Sequence, residues 1–306
     1  MINCNYLINI VQSYYSNKIA DNEFIAQLDE AELEKNEEYS ALKYLLRELK
    51  IDRQRAVFNE NKPLIGELTA KIEEAEKQIE KFRSASIVKN ATYDCEICHD
   101  TGYDGEKRCK CFFERLNEEA YRFLEVRNIA LHSFKDDTLS TKSHHETEYK
   151  TVKRYADKFP DTDKNLVISG EKGTGKTFLA ECLVNEINAK KYNSLMISSF
   201  DLNNVFIKNF KNSLQEKLIT NEILTSCDLL VIDDLGAEPI LNKVTVENLT
   251  AIISQRSINR KPFVITTNLS SDEFSDRYGE RLFSRIYGKQ TGELKVNGID
   301  LRLNRL

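Results

Sequence analysis

Apolar residues recur at two spacings along this chain, one typical of helices and one typical of strands. Between residues 22 and 58, charged side chains surround an apolar stripe that contains Leu42, Leu45, Leu46 and Leu49, at the spacing of one helical face. After a turn signal at residues 59–63, apolar side chains continue at steps of three and four residues, namely Ile65, Leu68, Ile72, Ala75, Ile79 and Phe82. The two stretches predict an antiparallel helical hairpin. Its periodicity fits both a self-contained bundle and a docking surface for a partner helix.

Beyond residue 150 the pattern changes to short apolar runs separated by helical stretches. The four runs cover residues 166–169, 194–198, 229–232 and 262–267. Strands that alternate with helices predict a parallel α/β sheet. Ahead of this part, residues 112–129 predict another amphipathic helix. The polar residues 136–149 predict a surface connection in which His144 and His145 are exposed to solvent.

A glycine-rich loop follows the first apolar run and precedes a helical stretch that begins near Phe178. The loop consists of Gly170, Glu171, Lys172, Gly173, Thr174, Gly175, Lys176 and Thr177. Glycines let the backbone approach a polyphosphate, and the positive end of the following helix favours negative charge. Lys176 is predicted to reach the β and γ oxygens of ATP, and the Thr177 hydroxyl to ligate Mg²⁺. The loop and Phe178 therefore form the predicted nucleotide site.

Two further apolar runs end in polar side chains that belong to the same chemistry. The run at 229–232 continues into Asp233 and Asp234, and the run at 262–267 is followed by Asn268. Parallel strands end at one edge of a sheet, so we expect these side chains beside the phosphate loop. Asp233 is predicted to bind Mg²⁺, and Asp234 to orient or deprotonate the attacking water. Asn268 is either a ligand of that water or of the γ-phosphate, or a turn-forming residue.

Four of the seven cysteines crowd into seventeen residues: Cys95, Cys98, Cys109 and Cys111. Two thiolates from a tight turn and two more after a glycine-containing loop can close a tetrahedral site. The sequence predicts structural zinc, because four thiolates leave no open position for a catalytic water. His99 is the alternative to one of the cysteines as ligand, but its place beside Cys98 favours an exposed surface position. A redox-active or merely reduced cysteine cluster is the alternative to zinc.

The composition of the chain limits the partners and the location that we expect for it. The chain has 306 residues, 30% of them charged, and a net charge of −5, so contact with DNA must be local. Residues 204–217 mix aromatic residues and lysines, which suits either a strand-binding surface or an amphipathic helix that packs Phe206 and Phe210 inward; the helix is the favoured interpretation. No apolar stretch reaches membrane-spanning length and no basic-then-apolar leader begins the chain, so we expect a cytoplasmic protein without a membrane partner.

Together the motifs resemble bacterial replicative-helicase loaders of the DnaC/DnaI type. The resemblance covers about residues 95–306 and is carried by 170–177, 229–238, 265–268, 279–286 and the cysteine segment. It implies an AAA+ P-loop ATPase with sensor 1 at Asn268, an arginine finger at Arg281 or Arg285, and sensor 2 at Arg302. Arg281 and Arg285 lie four residues apart and share a helical face. Arg285 is the preferred finger, and surface ion pairs are the alternative.

The resemblance also implies an organisation and partners. The predicted domains are residues 1–90, a helical hairpin that contacts the helicase; 91–135, a zinc module with a linker helix; and 136–306, the ATPase domain. The implied partners are a replicative hexameric DNA helicase, single-stranded DNA and further copies of the chain. Asp233–Asp234 replaces the Asp–Glu pair that is commoner in AAA+ enzymes, which makes the role of Asp234 less secure than that of Asp233 and implies slow turnover.

Two other functions share most of these features. One is a transposition accessory ATPase of the IstB type, which serves a transposase on double-stranded DNA; the zinc module and the helical N-terminal part argue against it. The other is a nucleotide-gated adaptor that does not hydrolyse ATP, against which the set Lys176, Asp233, Asn268 and Arg285 argues. A small-molecule kinase fits least well, because no acceptor pocket is evident.

Overall fold

The computed structural model describes residues 4–85, 93–136, 145–162, 164–241, 244–298 and 300–301. The helices are α1 (Asn5–Leu33), α2 (Glu37–Phe58), α3 (Lys62–Ala85), α4 (Lys110–Leu124), α5 (Glu146–Lys158), α6 (Lys176–Ala189), α7 (Ser199–Asn209), α8 (Leu214–Ser226), α9 (Thr245–Ile258), α10 (Ser271–Tyr278) and α11 (Glu280–Ile286). The strands are β1 (Tyr103–Asp104), β2 (Lys107–Arg108), β3 (Asn165–Ser169), β4 (Ser194–Ser198), β5 (Leu229–Leu235), β6 (Phe263–Thr267) and β7 (Thr291–Lys295). Among these described helices, none is both long and apolar enough to span a membrane.

Two compact units make up the chain. One is Tyr14–Thr101, and the other combines Met1–Ser13 with Gly102–Leu306. The first consists mainly of helices and the second contains the parallel sheet. The three domain boundaries predicted from the sequence stay a prediction.

Helices α2 and α3 form the expected antiparallel hairpin. Lys50 Nζ lies 2.7 Å from Glu76 Oε1, and near the other end the Tyr39 and Phe82 rings are 5.9 Å apart. The single helix predicted over residues 22–58 was wrong, because the chain breaks after Leu33 and restarts at Glu37. The side chain of Asn36 accepts a hydrogen bond from Tyr39 N and caps the new helix. The charged pattern runs through the break, so periodicity alone did not reveal it.

The sheet of the second unit is parallel throughout, in the order β4-β5-β6-β3-β7. This confirms the predicted α/β class and all four predicted strands. The order places the end of β6 beside the end of β3, where the glycine-rich loop begins, and the end of β5 on the other side of β6. Strand β7 was not predicted, because it reads Thr-Gly-Glu-Leu-Lys and only Leu294 is buried. An edge strand needs no continuous apolar run.

The core fixes the sheet and the helix that follows the phosphate loop. Strands β3 and β5 and helix α6 contribute to one buried apolar cluster. Its fully buried members include Leu179, Leu183 and Ile187 of α6. Burial of each such side chain stabilises the folded state by about 1.5–3 kcal/mol. The start of α6, and with it Lys176, is therefore held firmly at the sheet edge.

Helix α4 covers the free edge of the sheet. The Tyr121 hydroxyl donates to Met196 O at 3.0 Å and accepts from Met196 N at 2.9 Å. These are backbone groups of edge strand β4, which would otherwise offer a template for pairing with another chain. The helix was predicted over residues 112–129, but it ends at Leu124, where Glu125 takes a left-handed conformation. Of the predicted apolar face, Leu116, Tyr121 and Leu124 are buried and Phe123 is partly buried.

Candidate functional site

The phosphate loop takes a conformation that its glycines make possible. Gly170 has φ 150° and Gly175 has φ 95°, both in the region that favours glycine. A Cβ on Gly170 would lie 2.0 Å from the carbonyl oxygen of Val296, so no other residue fits there. Gly175 directly precedes α6, and the first N–H groups of an α-helix form an anion-binding site. The loop predicted from the sequence therefore has the geometry of an anion-binding turn.

Lys176 is buried within this loop. Its ammonium group donates to Gly170 O at 2.9 Å and to Glu171 O at 2.6 Å. Both acceptors are neutral carbonyls, whereas phosphate oxygens would give stronger, charge-assisted hydrogen bonds. The positive charge is thus placed where a polyphosphate would lie along the loop.

The two aspartates at the end of β5 reach the same cavity through a β-bulge. Strands β5 and β6 pair Ile232 with Ile265 and Leu235 with Thr267. Two residues of β5, Asp233 and Asp234, therefore lie opposite a single residue of β6, Thr266. In a regular strand, neighbouring side chains point to opposite faces. The bulge changes this, and both carboxylates line a cavity of about 450 Å³ together with Lys176 and Thr177.

Asp233 lies against the residue predicted to share a metal ion with it. Thr177 Oγ1 donates to the Asp233 carboxylate, at 3.1 Å from Oδ1 and 3.2 Å from Oδ2. Burial raises the pKa of Asp233, while hydrogen bonds from Thr266 and Thr177 oppose that rise. A carboxylate and a hydroxyl in contact are the oxygen ligands that Mg²⁺ prefers, so these residues fit the predicted ion.

Asp234 is held by residues that directly follow the two strands beside β5, Ser199 after β4 and Asn268 after β6. Its φ of 54° is unusual for a residue other than glycine. Asn268 Nδ2 donates to Asp234 Oδ1 at 2.7 Å, and Ser199 Oγ donates to the Asp234 carbonyl at 2.8 Å. The amide of Asn268 thus fixes the direction of the second carboxylate. A strained residue held by its neighbours is typical of functional sites.

The segment after the bulge is also anchored by buried polar contacts. The carboxylate of Glu238, which is 1% exposed, accepts a hydrogen bond from Gly236 N at 2.9 Å and one from the Tyr278 hydroxyl. Asn203 Nδ2 donates to Pro239 O at 3.2 Å. The loop after the aspartates is therefore tied to α7 and α10, which limits how the bulge can move.

Most of the predicted nucleotide-site residues line the cavity, and others do not. Lys172, Gly173, Gly175, Lys176, Thr177, Phe178, Asp233, Asp234 and Asn268 are in its lining, together with Thr266. Gly170, Glu171 and Thr174 belong to the loop without lining the cavity. Sequence reasoning missed Thr266, although its position two residues before Asn268 in a strand that ends at this edge was a usable signal.

The two candidate arginine fingers, Arg281 and Arg285, lie outside the cavity of their own chain. Arg285 on α11 donates from Nε to Ser254 Oγ at 2.7 Å and from Nη1 to Arg281 O at 2.8 Å. Arg281 is exposed to solvent, and neither arginine lines the cavity of its own chain. Arg302, the predicted sensor 2, lies outside the described residues.

The four predicted cysteine ligands come together. One ligand atom from each of Cys95, Cys98, Cys109 and Cys111 lies within 4.8 Å of the others, which fits the predicted tetrahedral site. The Asp100 carboxylate accepts hydrogen bonds from the backbone of residues 94 and 95 at 3.0 and 2.9 Å and fixes the first turn.

His99 is not needed to complete the set. Its ring lies 4.7 Å from that of Tyr93 and is exposed, as the sequence led us to expect. Four sulfur atoms already satisfy the coordination that a structural zinc requires.

Two secondary expectations need correction. His145 is 3% exposed, because Gly298 packs against its ring: a Cβ on Gly298 would lie 3.0 Å from Cε1. His144 lies outside the described residues. Phe206 is buried as predicted, but Phe210 is 63% exposed, because α7 ends at Asn209 and Phe210 falls in the turn beyond it.

Comparison with known proteins assigns the central part of the chain. Residues 128–287, just over half of the chain, match the family described as IstB-like ATP binding protein. The Escherichia coli K12 protein named replicative helicase loader DnaC is 31% identical over 138 residues, which is 44% of this chain and 55% of that protein. The Bacillus subtilis 168 protein named replicative helicase loader DnaI is 28% identical over 117 residues, 38% of this chain and 36% of that one. The chain thus spans about half or less of these relatives.

Solved structures show similarity over a comparable stretch. One is titled as the crystal structure of the DnaC helicase loader; it is 25% identical, covers 57% of this chain and 98% of its own, and has a TM-score of 0.44. Another, titled as the crystal structure of the DnaI, is 20% identical, covers 60% and 93%, and has a TM-score of 0.41.

Proposed function

The chain belongs to the IstB-like ATP-binding family, and we propose that it is an ATP-dependent loader of a replicative DNA helicase. The observation that carries the catalytic part is the β-bulge, which sets Asp233 and Asp234 side by side against the phosphate loop. The names of the matching relatives support the loader part. Each matches over only part of its length, so helicase loading itself remains our proposal.

In the proposed reaction, each residue at the sheet edge has a defined task. The N–H groups of the loop and the ammonium of Lys176 bind the phosphates of ATP. Thr177 and Asp233 hold Mg²⁺, which when bound neutralises charge on the transferring phosphoryl group. Asp234 orients the attacking water and accepts its proton. Asn268 fixes the direction of the Asp234 carboxylate, to which it is bonded at 2.7 Å.

We propose that the site is completed by a neighbouring copy of the chain. Arg281 and Arg285 lie on α11, outside the cavity of their own chain. Arg285 is the proposed finger, and its contact with Ser254 holds the side chain in one direction. If Arg285→Ala keeps ATP binding but loses the turnover that DNA or self-association stimulates, the assignment is supported. If only Arg281→Ala has this effect, Arg281 is the finger.

The cysteine segment is proposed to bind structural zinc. Its four sulfur ligands are together, and a closed Cys₄ site normally has no catalytic task. Mass spectrometry of the purified protein tests this directly. About one equivalent of zinc per chain is expected, and less than half an equivalent would contradict the assignment.

Contact with single-stranded DNA is proposed for the turn after α7. Phe210 in that turn and Leu214 and Leu218 on the following helix α8 expose apolar surface, and Lys211 in the turn and Lys217 on α8 add positive charge. Bases stack on aromatic rings while lysines contact phosphates. The acidic chain as a whole does not favour DNA, so binding must depend on this local surface.

The loader function is tested with the full chain and the purified replicative helicase of the same organism. Loading of the helicase onto a circular single strand is measured with ATP, with wild-type protein and with Lys176→Ala. ATP-dependent loading that Lys176→Ala lacks is the expected result. Absence of both helicase binding and loading would contradict the proposal. If the chain instead binds a transposase, an IstB-type accessory ATPase is favoured. The match to the IstB-like family is the observation that supports this alternative.

A further inference from the structure

Thr266 contacts both aspartates of the bulge through one hydroxyl group. Thr266 Oγ1 lies 2.6 Å from Asp233 Oδ1 and 2.8 Å from Asp234 N. The N–H of Asp234 can only donate, so the Thr266 oxygen accepts from it. The single hydroxyl proton therefore points to Asp233. The direction of both hydrogen bonds is fixed by the donors and acceptors present.

We propose that Thr266 is a positioning residue that sets the Mg²⁺-binding carboxylate of Asp233 and stabilises the bulge. The pairing of β5 with β6 gives the reason: the bulge leaves Asp233 and Asp234 opposite Thr266 alone. The extra residue of a bulge loses its regular ladder bond, and the Thr266 hydroxyl supplies the acceptor that the Asp234 N–H would otherwise lack.

Loss of this hydroxyl has two physical consequences. The Asp234 amide would lose its acceptor at a residue whose φ is 54°, and an unusual backbone conformation persists only when its surroundings hold it. One oxygen of Asp233 would lose its shortest hydrogen bond and be free to turn away from Thr177. Both changes weaken a metal site that depends on the direction of its ligands.

The neighbouring Thr267 provides a matched control. It is also a buried threonine of β6, but its side chain lies on the other face of the strand. Its hydroxyl donates to Leu235 O at 2.6 Å and accepts from Leu269 N at 3.1 Å. Thr266→Val and Thr267→Val remove the same atom and keep the same shape, yet only the first removes the contacts with the Asp233 carboxylate and the Asp234 N–H.

The first test measures binding of a fluorescent ATP analogue to the full chain, in EDTA and across a Mg²⁺ titration. This test rests on the proposed ATP-binding function. Thr266→Val should bind within about twofold of wild type in EDTA but need about tenfold more Mg²⁺ for half of the Mg²⁺-dependent gain in affinity. Thr266→Ser should restore the wild-type requirement, and Thr267→Val should keep it. An unchanged Mg²⁺ requirement in Thr266→Val would overturn the proposal.

The second test needs no nucleotide and therefore separates this inference from the proposed function. Hydrogen–deuterium exchange of a peptide that contains Asp234 should be at least about tenfold faster in Thr266→Val than in wild type, because the amide loses its acceptor. Thr267→Val should not change the exchange of the Asp234 amide. If the wild type binds no nucleotide and the exchange result still holds, the proposed function fails while the positioning role stands. Equal exchange in wild type and Thr266→Val would refute the positioning role.

Discussion

The nucleotide site and the helical hairpin differ in how far their side chains are held by contacts within the chain. At the sheet edge, Lys176, Asp233 and Asp234 are each held by hydrogen bonds from their own chain. On the hairpin, large apolar side chains face solvent: Phe58 is 89% exposed and Tyr44 is 68% exposed. The first region is preorganised by the fold. The second has the surface that a partner would cover.

The difference has a chemical reason. Phosphoryl transfer needs groups fixed to within a fraction of an ångström, and buried hydrogen bonds provide that. Docking needs accessible apolar area, and the interior of one chain cannot supply it. A mutation should therefore damage either ATP chemistry or partner binding, according to the region in which it falls.

The largest effect is expected for Lys176→Ala. Removing a buried ammonium from the phosphate loop should lower ATP affinity by at least about a thousandfold, because charge-assisted bonds to phosphate are lost. Isothermal titration with ATP measures this. Lys172→Ala, an exposed lysine of the same loop, is the control and should change affinity by less than about tenfold. If the hairpin is where the proposed helicase partner binds, that binding should survive in both variants; its loss in Lys176→Ala alone would break the separation.

Next in size is Asp234→Asn. A general base contributes about 10² to 10⁴ in rate, so turnover should fall by at least about a hundredfold while ATP binding stays within about threefold of wild type. Steady-state hydrolysis and nucleotide binding are compared on the same preparation. Asn268→Ala should lower turnover less, because it removes the group that orients the carboxylate and not the carboxylate itself. Normal turnover in Asp234→Asn would exclude its role as base.

The same two regions show what the sequence could predict. Glycine spacing, apolar strands and the Asp-Asp and Asn positions were readable, because each depends on local pattern. The bulge was not, because the register between β5 and β6 is set by pairing across the sheet. The position of Thr266 two residues before Asn268 indicated the same sheet edge, but its contact with both aspartates depends on that register and was missed.

Other misses also have tertiary causes. The break between α1 and α2 depends on one asparagine cap inside a continuous charged pattern. His145 is buried by Gly298, more than 150 residues later in the chain. The periodicity of the hairpin fitted either a bundle or a docking face, and the structure shows large apolar side chains exposed on it.

A moderate effect is expected for Phe58→Ser in the hairpin. Ala56, Leu64 and Leu68 in the same hairpin line a groove of about 230 Å³. A partner of the hairpin therefore has both this groove and the exposed Phe58 ring to contact. If the helicase docks here, its affinity should fall by about tenfold, as expected for loss of an aromatic anchor. Surface plasmon resonance with immobilised helicase measures this.

The control for that experiment is Ile258→Ser, which alters an exposed apolar residue at the end of α9. It should leave helicase affinity unchanged, and both variants should hydrolyse ATP at the wild-type rate. A fall in turnover with Phe58→Ser would show that the two regions are not separable in the way proposed.

The smallest effect concerns Tyr121, which supports the sheet of the nucleotide-binding unit and not its chemistry. Tyr121→Phe removes both hydrogen bonds to Met196 and should lower the free energy of unfolding by about 1–3 kcal/mol, because two buried backbone groups lose a partner. Tyr155→Phe, whose hydroxyl bonds Lys164 O at a more exposed position, should cost less. Urea unfolding of all three proteins provides the comparison.

The pH dependence of folding stability gives a sharper test of the role of Tyr121. Burial raises the pKa of Tyr121 from its usual value near 10.0 to about 12. The folded state then holds the proton more tightly than the unfolded state, so this stabilisation is complete below pH 10 and is lost between about pH 10 and 12. Tyr121→Phe cannot titrate, so its stability should fall less steeply than that of wild type over this range. Parallel slopes would mean that the tyrosine is not buried in solution, and that the edge of the sheet is as open as the surface of the hairpin.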